Sequence, residues 1–170
     1  SAFSIEGVDA ENIGQALQVL AKKAGIYGMI GGQVVDVKCT GQSISGDTLD
    51  FIYRLKTGAL IESSMMIGAI LAGASKDEIK SVETIAQKVG LAFQIQDDIL
   101  DVTSTAEVLG KPIHSDEKNE KTTYVTWKGI EAAKAEVKQL SEEAVKELKR
   151  LENTDEYLEM LLESLIYRKK

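Results

Sequence analysis

Apolar residues recur every three or four positions near the start of the chain. Within residues 9–24 this spacing runs from Ile13 to Ala24, and Asp9 stands where an N-cap residue is expected. Gly25 follows the last apolar position, as glycine often does where a helix ends. The pattern predicts an amphipathic helix over 9–24.

The next two segments differ in how clearly they indicate a helix. The stretch GMIGGQVVDV at 28–37 is glycine-rich and apolar, so it fits either a strand or a closely packed helix. Residues 47–73 contain no proline, begin at the capping candidate Asp47 and carry many small side chains that would allow close contact between helices. We therefore predict a single helix over 47–73, about 40 Å long at roughly 1.5 Å per residue.

The later segments also have helical patterns. Ser75 and Glu78 form an S-x-x-E capping box that starts a helix reaching about Val102. A polar stretch over 103–120 follows it. We predict three further helices, over 121–133, 131–152 and 154–167. The predicted fold class is all-α, a bundle of about six helices in one domain spanning 1–170.

Composition narrows the class of protein. The chain has 27 acidic and 20 basic residues, a net charge of −7, which argues against a nucleic-acid partner because phosphate binding needs a basic surface. No apolar run approaches the roughly 20 residues of a membrane span, and no signal-peptide pattern opens the sequence. A lone cysteine, Cys39, and a lone histidine, His114, argue against a disulfide framework, a histidine metal site and a Ser-His-Asp triad. We expect an acidic, cytoplasmic protein.

The candidate chemistry is concentrated in LAFQIQDDILDV, residues 91–102. In a helix, four polar residues of this segment stand at i, i+3, i+4 and i+7 and share one stripe, while the other faces are apolar. These residues are Gln94, Asp97, Asp98 and Asp101. Carboxylates this close repel one another unless a cation lies between them. Mg²⁺ bound through oxygen, with a phosphate as its other partner, fits this need; an acidic surface stripe is the alternative interpretation.

A phosphate site also requires cations, and three lysines are candidates. Lys56 interrupts a small, apolar stretch beside the Thr57 hydroxyl, and a buried lysine is costly unless an anion meets it. The alternative is that the methylene groups of Lys56 are buried while its ammonium group extends to the surface. Lys111 lies in GKP after the acidic segment and Lys121 begins KTTY. Taken alone, each of the last two reads as an ordinary surface lysine.

Five motifs occur in the order and spacing of a known family. FQIQDDILD, LGKP and EKTTY resemble the second aspartate-rich region of the trans-type polyprenyl diphosphate synthases, which include the farnesyl and geranylgeranyl diphosphate synthases. GMIGGQVVD at 28–36 resembles the glycine-glycine-glutamine helix of that family, and LKTGALI at 55–61 resembles its lysine-threonine helix. The resemblance extends from near residue 1 to the carboxyl end. It implies part of the all-α isoprenoid-synthase fold.

The resemblance implies roles for the residues of the acidic segment and its neighbours. Asp97 and Asp101 match aspartates that bind Mg²⁺ bridging to an allylic diphosphate, and Asp98 belongs to the same acidic cluster. Gln94 matches a glutamine near the reacting allylic group. Thr57 matches a threonine that polarises this group or receives protons there.

The resemblance also implies roles for basic and polar residues elsewhere. Lys56 and Lys111 match lysines that contact the allylic diphosphate, and Lys121 matches a lysine near the cavity mouth. The run 168–170 matches a basic tail near the second substrate, isopentenyl diphosphate. Two polar positions match the helix that faces the cavity, Gln33 and Asp36.

Two motifs of the family are absent from this sequence. They are the first DDxxD region with its paired arginines and the Gly-Lys-x-x-Arg region that binds isopentenyl diphosphate. The chain therefore resembles the C-terminal portion of a synthase. We expect the parent enzyme to condense an allylic diphosphate with isopentenyl diphosphate into a short product (geranyl, farnesyl or geranylgeranyl), and the isolated chain to be inactive.

Association with other chains is a further expectation. Helices that would cover 28–37 and 47–73 in the family are missing, so exposed apolar surface would favour a homodimer or other self-association. The alternative function is a non-catalytic helical subunit that dimerises with, or regulates, another prenyl synthase. A terpene cyclase is disfavoured because the KT, GK and KTTY elements follow the chain-elongating pattern.

Overall fold

A computed structural model describes residues 6–103, 122–152 and 156–168. Over these ranges the chain forms helices and no strand, which confirms the predicted all-α class. The helices are α1 (Ala10–Ala24), α2 (Met29–Lys38), α3 (Gly46–Tyr53), α4 (Ala59–Leu71), α5 (Lys76–Thr103), α6 (Tyr124–Lys128), α7 (Ile130–Leu148) and α8 (Glu156–Ile166), with a π-helical turn, Arg54–Gly58, between α3 and α4.

Two helices begin at the caps that the sequence indicates. The Asp9 carboxylate accepts a hydrogen bond from the Glu11 N–H at 3.1 Å at the start of α1. The Ser75 N–H donates to Glu78 Oε2 at 2.7 Å, and the Glu78 N–H donates to Ser75 Oγ at 3.3 Å, which completes the capping box before α5. Both predicted helix starts are confirmed.

The glycine-rich segment 28–37 forms a helix and not a strand. Gly32 of α2 faces the π-helical turn, where an added Cβ would lie 2.4 Å from the Lys56 backbone nitrogen. The missing side chain therefore allows the two backbones to approach closely, which is the closely packed helix of the two alternatives. This contact brings α2 alongside the segment that contains Lys56.

The prediction of one uninterrupted helix over 47–73 is wrong. The helix begins at Gly46, and Ser45 is the cap, accepting from the Thr48 N–H at 3.2 Å. Asp47 lies inside the first turn, where its charge still favours the helix N-terminus. The π-helical turn then separates α3 from α4. Such turns occur often at functional sites.

The predicted boundary near residues 131–133 is also wrong. Gly129 adopts φ +84°, a left-handed conformation available to glycine at little cost, and it separates the short α6 from α7. The last predicted helix corresponds to α8. The described residues contain eight α-helices where about six were expected, because 28–37 forms a helix and 47–73 is divided into two.

Helix α5 lies at the centre of the bundle. It packs along α7 and α4 and also contacts the π-helical turn. The main core lies between α5 and the helices α3, α6, α7 and α8, and it includes Leu49, Ile85, Ile95, Val137 and Ile166. A smaller cluster joins α1, α4 and α5. None of the described helices has the length and apolar character of a membrane span; the cytoplasmic location stays a prediction.

Candidate active site

A polar cavity of about 180 Å³ lies between α2, α3, the π-helical turn and the second half of α5. Its wall contains five of the residues that the sequence singles out, Asp36, Lys56, Gln94, Asp97 and Asp98. They come from three separate segments of the chain. Folding therefore brings one of the predicted lysines and two of the three predicted aspartates to one cavity.

The lysine of the site meets a carboxylate. Lys56 Nζ donates to Asp36 Oδ2 at 2.7 Å, which joins the π-helical turn to α2. Its side chain stays 35% exposed, and an ammonium has three N–H donors, so Lys56 can still contact an anion in the cavity. Lys56 thus has an anionic partner within the chain, Asp36; its contact with a phosphate stays a prediction.

A second contact joins the π-helical turn to α5. Thr57 Oγ1 donates to Gln94 Oε1 at 2.9 Å. One turn away, a Cβ added to Gly90 would lie 2.8 Å from Gly58 Cα, so the two backbones are in close contact there. These contacts fix the position of Thr57 along α5, relative to the acidic stripe.

The acidic stripe turns towards the interior, but its three aspartates differ in access. Asp98 and Asp101 are buried, with 4% and 3% of their surface exposed, whereas the Asp97 side chain is 40% exposed. Asp97 and Asp98 line the cavity, and Asp101 is not among the described residues of its wall. Asp97 is thus the carboxylate that a ligand in the cavity can reach most easily.

Two tyrosines that sequence reasoning missed hold Asp98. The Tyr53 hydroxyl donates to Asp98 Oδ2 at 2.6 Å, and the Tyr124 backbone N–H donates to the same oxygen at 2.7 Å. The two rings are stacked, with centroids 6.3 Å apart. A signal was available, because Tyr53 lies three residues before Lys56 and Tyr124 ends the KTTY motif.

Three titratable groups near Tyr124 have raised pKa values: its own hydroxyl, Lys128 and Asp50. Burial raises the pKa of the Tyr124 hydroxyl, which accepts a hydrogen bond from Lys128 Nζ at 3.0 Å. This hydrogen bond in turn raises the pKa of Lys128. Burial also raises the pKa of the nearby Asp50 carboxyl. Tyr124 thus contacts Asp98 through its backbone N–H and Lys128 through its hydroxyl.

The remaining predicted residues have different positions. Gln33 is partly buried on α2 and is not among the described residues of the cavity wall. Arg168, expected near the second substrate, lies on Asp97, with Nη2 2.9 Å from Oδ1. Lys111, Lys121 and the segment 169–170 lie outside the described residues.

The carboxylates of the cavity fit a magnesium ion that is shared with a phosphate. Among the described residues, no three His, Cys, Asp or Glu side chains are grouped so that they could hold a metal by themselves. Mg²⁺, however, usually retains several waters and uses one or two carboxylates together with substrate phosphate oxygens. Asp97, which lines the same cavity as Asp98 and Lys56, suits that mode of binding.

Comparison with known proteins gives consistent similarities. The polyprenyl synthetase family matches the chain over residues 6–163. Geranylgeranyl pyrophosphate synthase of Capsicum annuum is 45% identical over 146 residues, which are 85% of this chain and 40% of that protein. Farnesyl diphosphate synthase of Escherichia coli is 38% identical over 155 residues, 89% of this chain and 52% of that protein.

The solved structures agree. A crystal structure of geranyltransferase from Helicobacter pylori, complexed with magnesium and isoprenyl diphosphate, is 30% identical, with a TM-score of 0.79 over 96% of this chain and 54% of that one. The present chain thus spans about half the length of the relatives it matches.

Proposed function

Because this chain is a member of the polyprenyl synthetase family, we propose that it forms the diphosphate-binding part of a prenyltransferase. The observation that carries the proposal is the convergence of Lys56, Gln94 and Asp97 on one polar cavity. The parent reaction would join an allylic diphosphate to isopentenyl diphosphate. The relatives named above make farnesyl and geranylgeranyl diphosphates according to their names, so a short-chain product is the proposed outcome.

The difficult step of such a reaction is cleavage of the allylic C–O bond, which leaves a diphosphate anion and an allylic cation. Lys56 would bind the diphosphate through the N–H donors that Asp36 does not use. Asp97 and Asp101, which belong to one acidic cluster with Asp98, would hold Mg²⁺ together with oxygens of the diphosphate, and the ion would neutralise charge on the leaving diphosphate. Groups fixed in advance where charge develops are effective because they need no rearrangement, and each is worth about 3 kcal/mol.

The Thr57–Gln94 pair would lie beside the allylic end of the substrate. The Gln94 carbonyl oxygen accepts from Thr57 in the observed arrangement, so the pair is oriented before substrate binds. A neutral amide and hydroxyl can face a developing cation without adding a positive charge next to it. We propose that this pair orients the allylic group, while Lys56 binds the diphosphate directly and Asp97 binds it through Mg²⁺.

The proposal includes a limit on activity. The sequence lacks the first aspartate-rich region and the isopentenyl diphosphate region that the family resemblance leads one to expect. A single aspartate cluster would hold only part of the metal set. We therefore expect the 170-residue chain to bind diphosphate with Mg²⁺ only weakly and not to elongate a prenyl chain.

Calorimetric titration with inorganic pyrophosphate in the presence of Mg²⁺ tests the binding. Wild-type protein is expected to bind, and Lys56→Met and Asp97→Asn should each weaken binding about tenfold or more, since each removes a charge-assisted contact. Lys149→Met, which changes an exposed lysine just after α7, is the matched control. Equal binding by all four proteins would refute the site, and chain elongation by the purified chain would refute the limit on activity.

A second candidate function is that of a helical subunit that acts by association. It is favoured by exposed apolar side chains along α2, among them Ile30, Val34 and Val37. A relative from Arabidopsis thaliana is named the large subunit of a heterodimeric geranylgeranyl pyrophosphate synthase. A pull-down with full-length synthases, compared between wild type and Asp97→Asn, separates the two functions, because pure association should not depend on Asp97.

A further inference from the structure

Arg168 lies on the carboxylate to which the proposed function assigns a metal. Its Nη2 atom donates to Asp97 Oδ1 at 2.9 Å, although 71 residues separate the two in sequence. The Arg168 side chain is only 17% exposed, compared with 40% for Asp97. The guanidinium therefore covers part of the most accessible carboxylate of the cavity.

Several contacts keep Arg168 in this position. Its guanidinium carbon lies 3.7 Å from the centroid of the Phe93 ring, one turn before Asp97 on α5. Its Nη1 atom donates to the carbonyl oxygens of Phe93 at 3.4 Å and Leu165 at 3.2 Å. Because a guanidinium is planar and has five donors, it can stack on a ring and bind oxygens at once.

The preceding helix brings Arg168 to α5. Leu162 and Ile166 of α8 are buried in the main core, 2% and 0% exposed, and α8 packs against both α5 and α7. Arg168 follows directly after this anchored helix. Its approach to Asp97 is consequently determined by core packing, unlike the ion pairs of exposed side chains elsewhere on the surface.

A guanidinium and a magnesium ion at one carboxylate compete. Arginine does not lose its proton in proteins, so its charge cannot be removed to admit a metal. Mg²⁺ requires a near-octahedral set of oxygens and would stand beside a fixed positive charge even if it used the other carboxylate oxygen. We propose that Arg168 is a built-in counter-cation that competes with Mg²⁺ for Asp97, so that metal binding displaces this arginine from α5.

The inference rests on the proposed function only for the presence of a metal at Asp97. The inferred role and the role implied by family resemblance predict opposite effects of removing Arg168 on binding. An arginine that binds substrate strengthens ligand binding, so its removal weakens binding. A competing arginine weakens metal binding, so its removal strengthens it, and by reciprocity the bound metal loosens the arginine.

Metal binding measured without substrate tests the sign. Mn²⁺, which prefers the same oxygen ligands as Mg²⁺, can be titrated and its free form quantified by electron paramagnetic resonance. Arg168→Ala is expected to bind Mn²⁺ about fivefold more tightly than wild type, or better. Arg150→Ala, which removes an exposed arginine paired with Glu147, should match wild type. Unchanged or weaker Mn²⁺ binding by Arg168→Ala would overturn the inference.

A second measurement follows the displaced side chain. The sequence has three arginines, at 54, 150 and 168, so their side-chain N–H signals can be assigned by substitution. Addition of Mg²⁺ should shift the Arg168 signal in wild type but not in Asp97→Asn. Metal binding that leaves this signal unchanged overturns the inference. If instead Asp97→Asn binds Mn²⁺ as well as wild type does, the metal assignment within the proposed function fails first.

Discussion

Adjacent aspartates of the acidic stripe have opposite surroundings. Asp97 is half-exposed and faces a cation, whereas Asp98 is buried and accepts two short hydrogen bonds on one oxygen. A buried carboxylate needs such donors, because desolvation otherwise makes its charge costly. Tyr53 also directly precedes the π-helical turn, so its bond to Asp98 sets the position of Lys56 against α5.

The Tyr53 hydroxyl should therefore contribute measurably to stability. Tyr53→Phe keeps the ring and removes one donor to Asp98, which is expected to lower the free energy of unfolding by about 1–3 kcal/mol. Urea unfolding monitored by circular dichroism measures the change. Tyr157→Phe, at an exposed position of α8, is the control and should be neutral. A Tyr53→Phe variant as stable as wild type would show that this hydrogen bond contributes nothing.

At the scale of elements, an ion cluster joins three helices away from the cavity. Lys23 of α1 binds Glu62 of α4, which is buried, and also Glu83 of α5 at 2.8 Å. Burial alone would lower the pKa of Lys23, but hydrogen bonds to the two glutamates outweigh it and raise this pKa. The stabilising charge of Lys23 is thus retained up to its ordinary pKa and is lost only as the pH rises through the raised value.

Removal of this lysine should destabilise the packing of α1 on α4 and α5. Lys23→Met leaves Glu62 as a buried charge without its cation, which is expected to cost about 3–5 kcal/mol of unfolding free energy. The double variant Lys23→Met with Glu62→Leu should recover much of this loss, because it removes both charges. Lys149→Met breaks an exposed pair, which solvent screens, and should cost far less than Lys23→Met. Denaturant unfolding measures the free energy of unfolding of the three variants. Equal destabilisation by Lys23→Met and Lys149→Met would show that the buried cluster contributes no more than an exposed ion pair.

A carboxylate on α3 gives a prediction about pH. Asp50 Oδ1 is buried and has no hydrogen-bond partner among the described residues. Burial raises the pKa of this carboxyl, against the opposing effect of Arg54 and Lys128. A raised pKa in the folded state means that the proton is held more tightly after folding. Stability is consequently lost as the pH rises through the raised value and is regained at lower pH.

Asp50→Asn should therefore stabilise the protein at neutral pH, by about 1 kcal/mol. The gain should vanish below the ordinary aspartate pKa of about 3.9, where the wild-type carboxyl is protonated in both states. Melting temperatures of the two proteins at neutral and acidic pH measure the effect. The charged groups that face Asp50 are to be left unchanged in this comparison: Asp47, Arg54, Lys128 and Glu136. A gain that persists at acidic pH would show that burial of the charge is not its cause.

Across the whole molecule, local signals predicted most helices because their causes are local. Asp9 and Ser75 cap helices through residues two or three positions away. The π-helical turn was not predictable in this way, since it lies where Gly32 and Gly90 bring two distant helices close. The same holds for the candidate site. Motif spacing pointed to Lys56 and the aspartates, whereas the Arg168–Asp97 contact depends on the packing of α8 and was not predictable from local sequence.

Helices α1 and α2 carry several exposed apolar residues that are not part of the core among the described residues. On α2, Ile30, Val34 and Val37 recur at helical spacing and are 45–61% exposed, and Leu17 and Leu20 of α1 are also exposed. Exposed apolar residues at helical spacing, as on α2, are a feature of interfaces when they form one patch. A second copy of the chain would cover it symmetrically, whereas the polar cavity could remain open to ligands.

Light scattering coupled to gel filtration tests this association. Wild-type protein is expected at about twice its monomer mass of 18.5 kDa. The double substitution Ile30→Asp and Val34→Asp should shift it towards the monomer, because two charges would be buried without partners at a symmetric interface. Met160→Asp places one such charge on an exposed apolar position of α8 and should leave the mass unchanged. Since neither Ile30 nor Val34 lines the cavity, the double variant should bind Mg²⁺ and pyrophosphate as wild type does. A compact wild-type monomer would contradict self-association and would leave the proposed site unaffected.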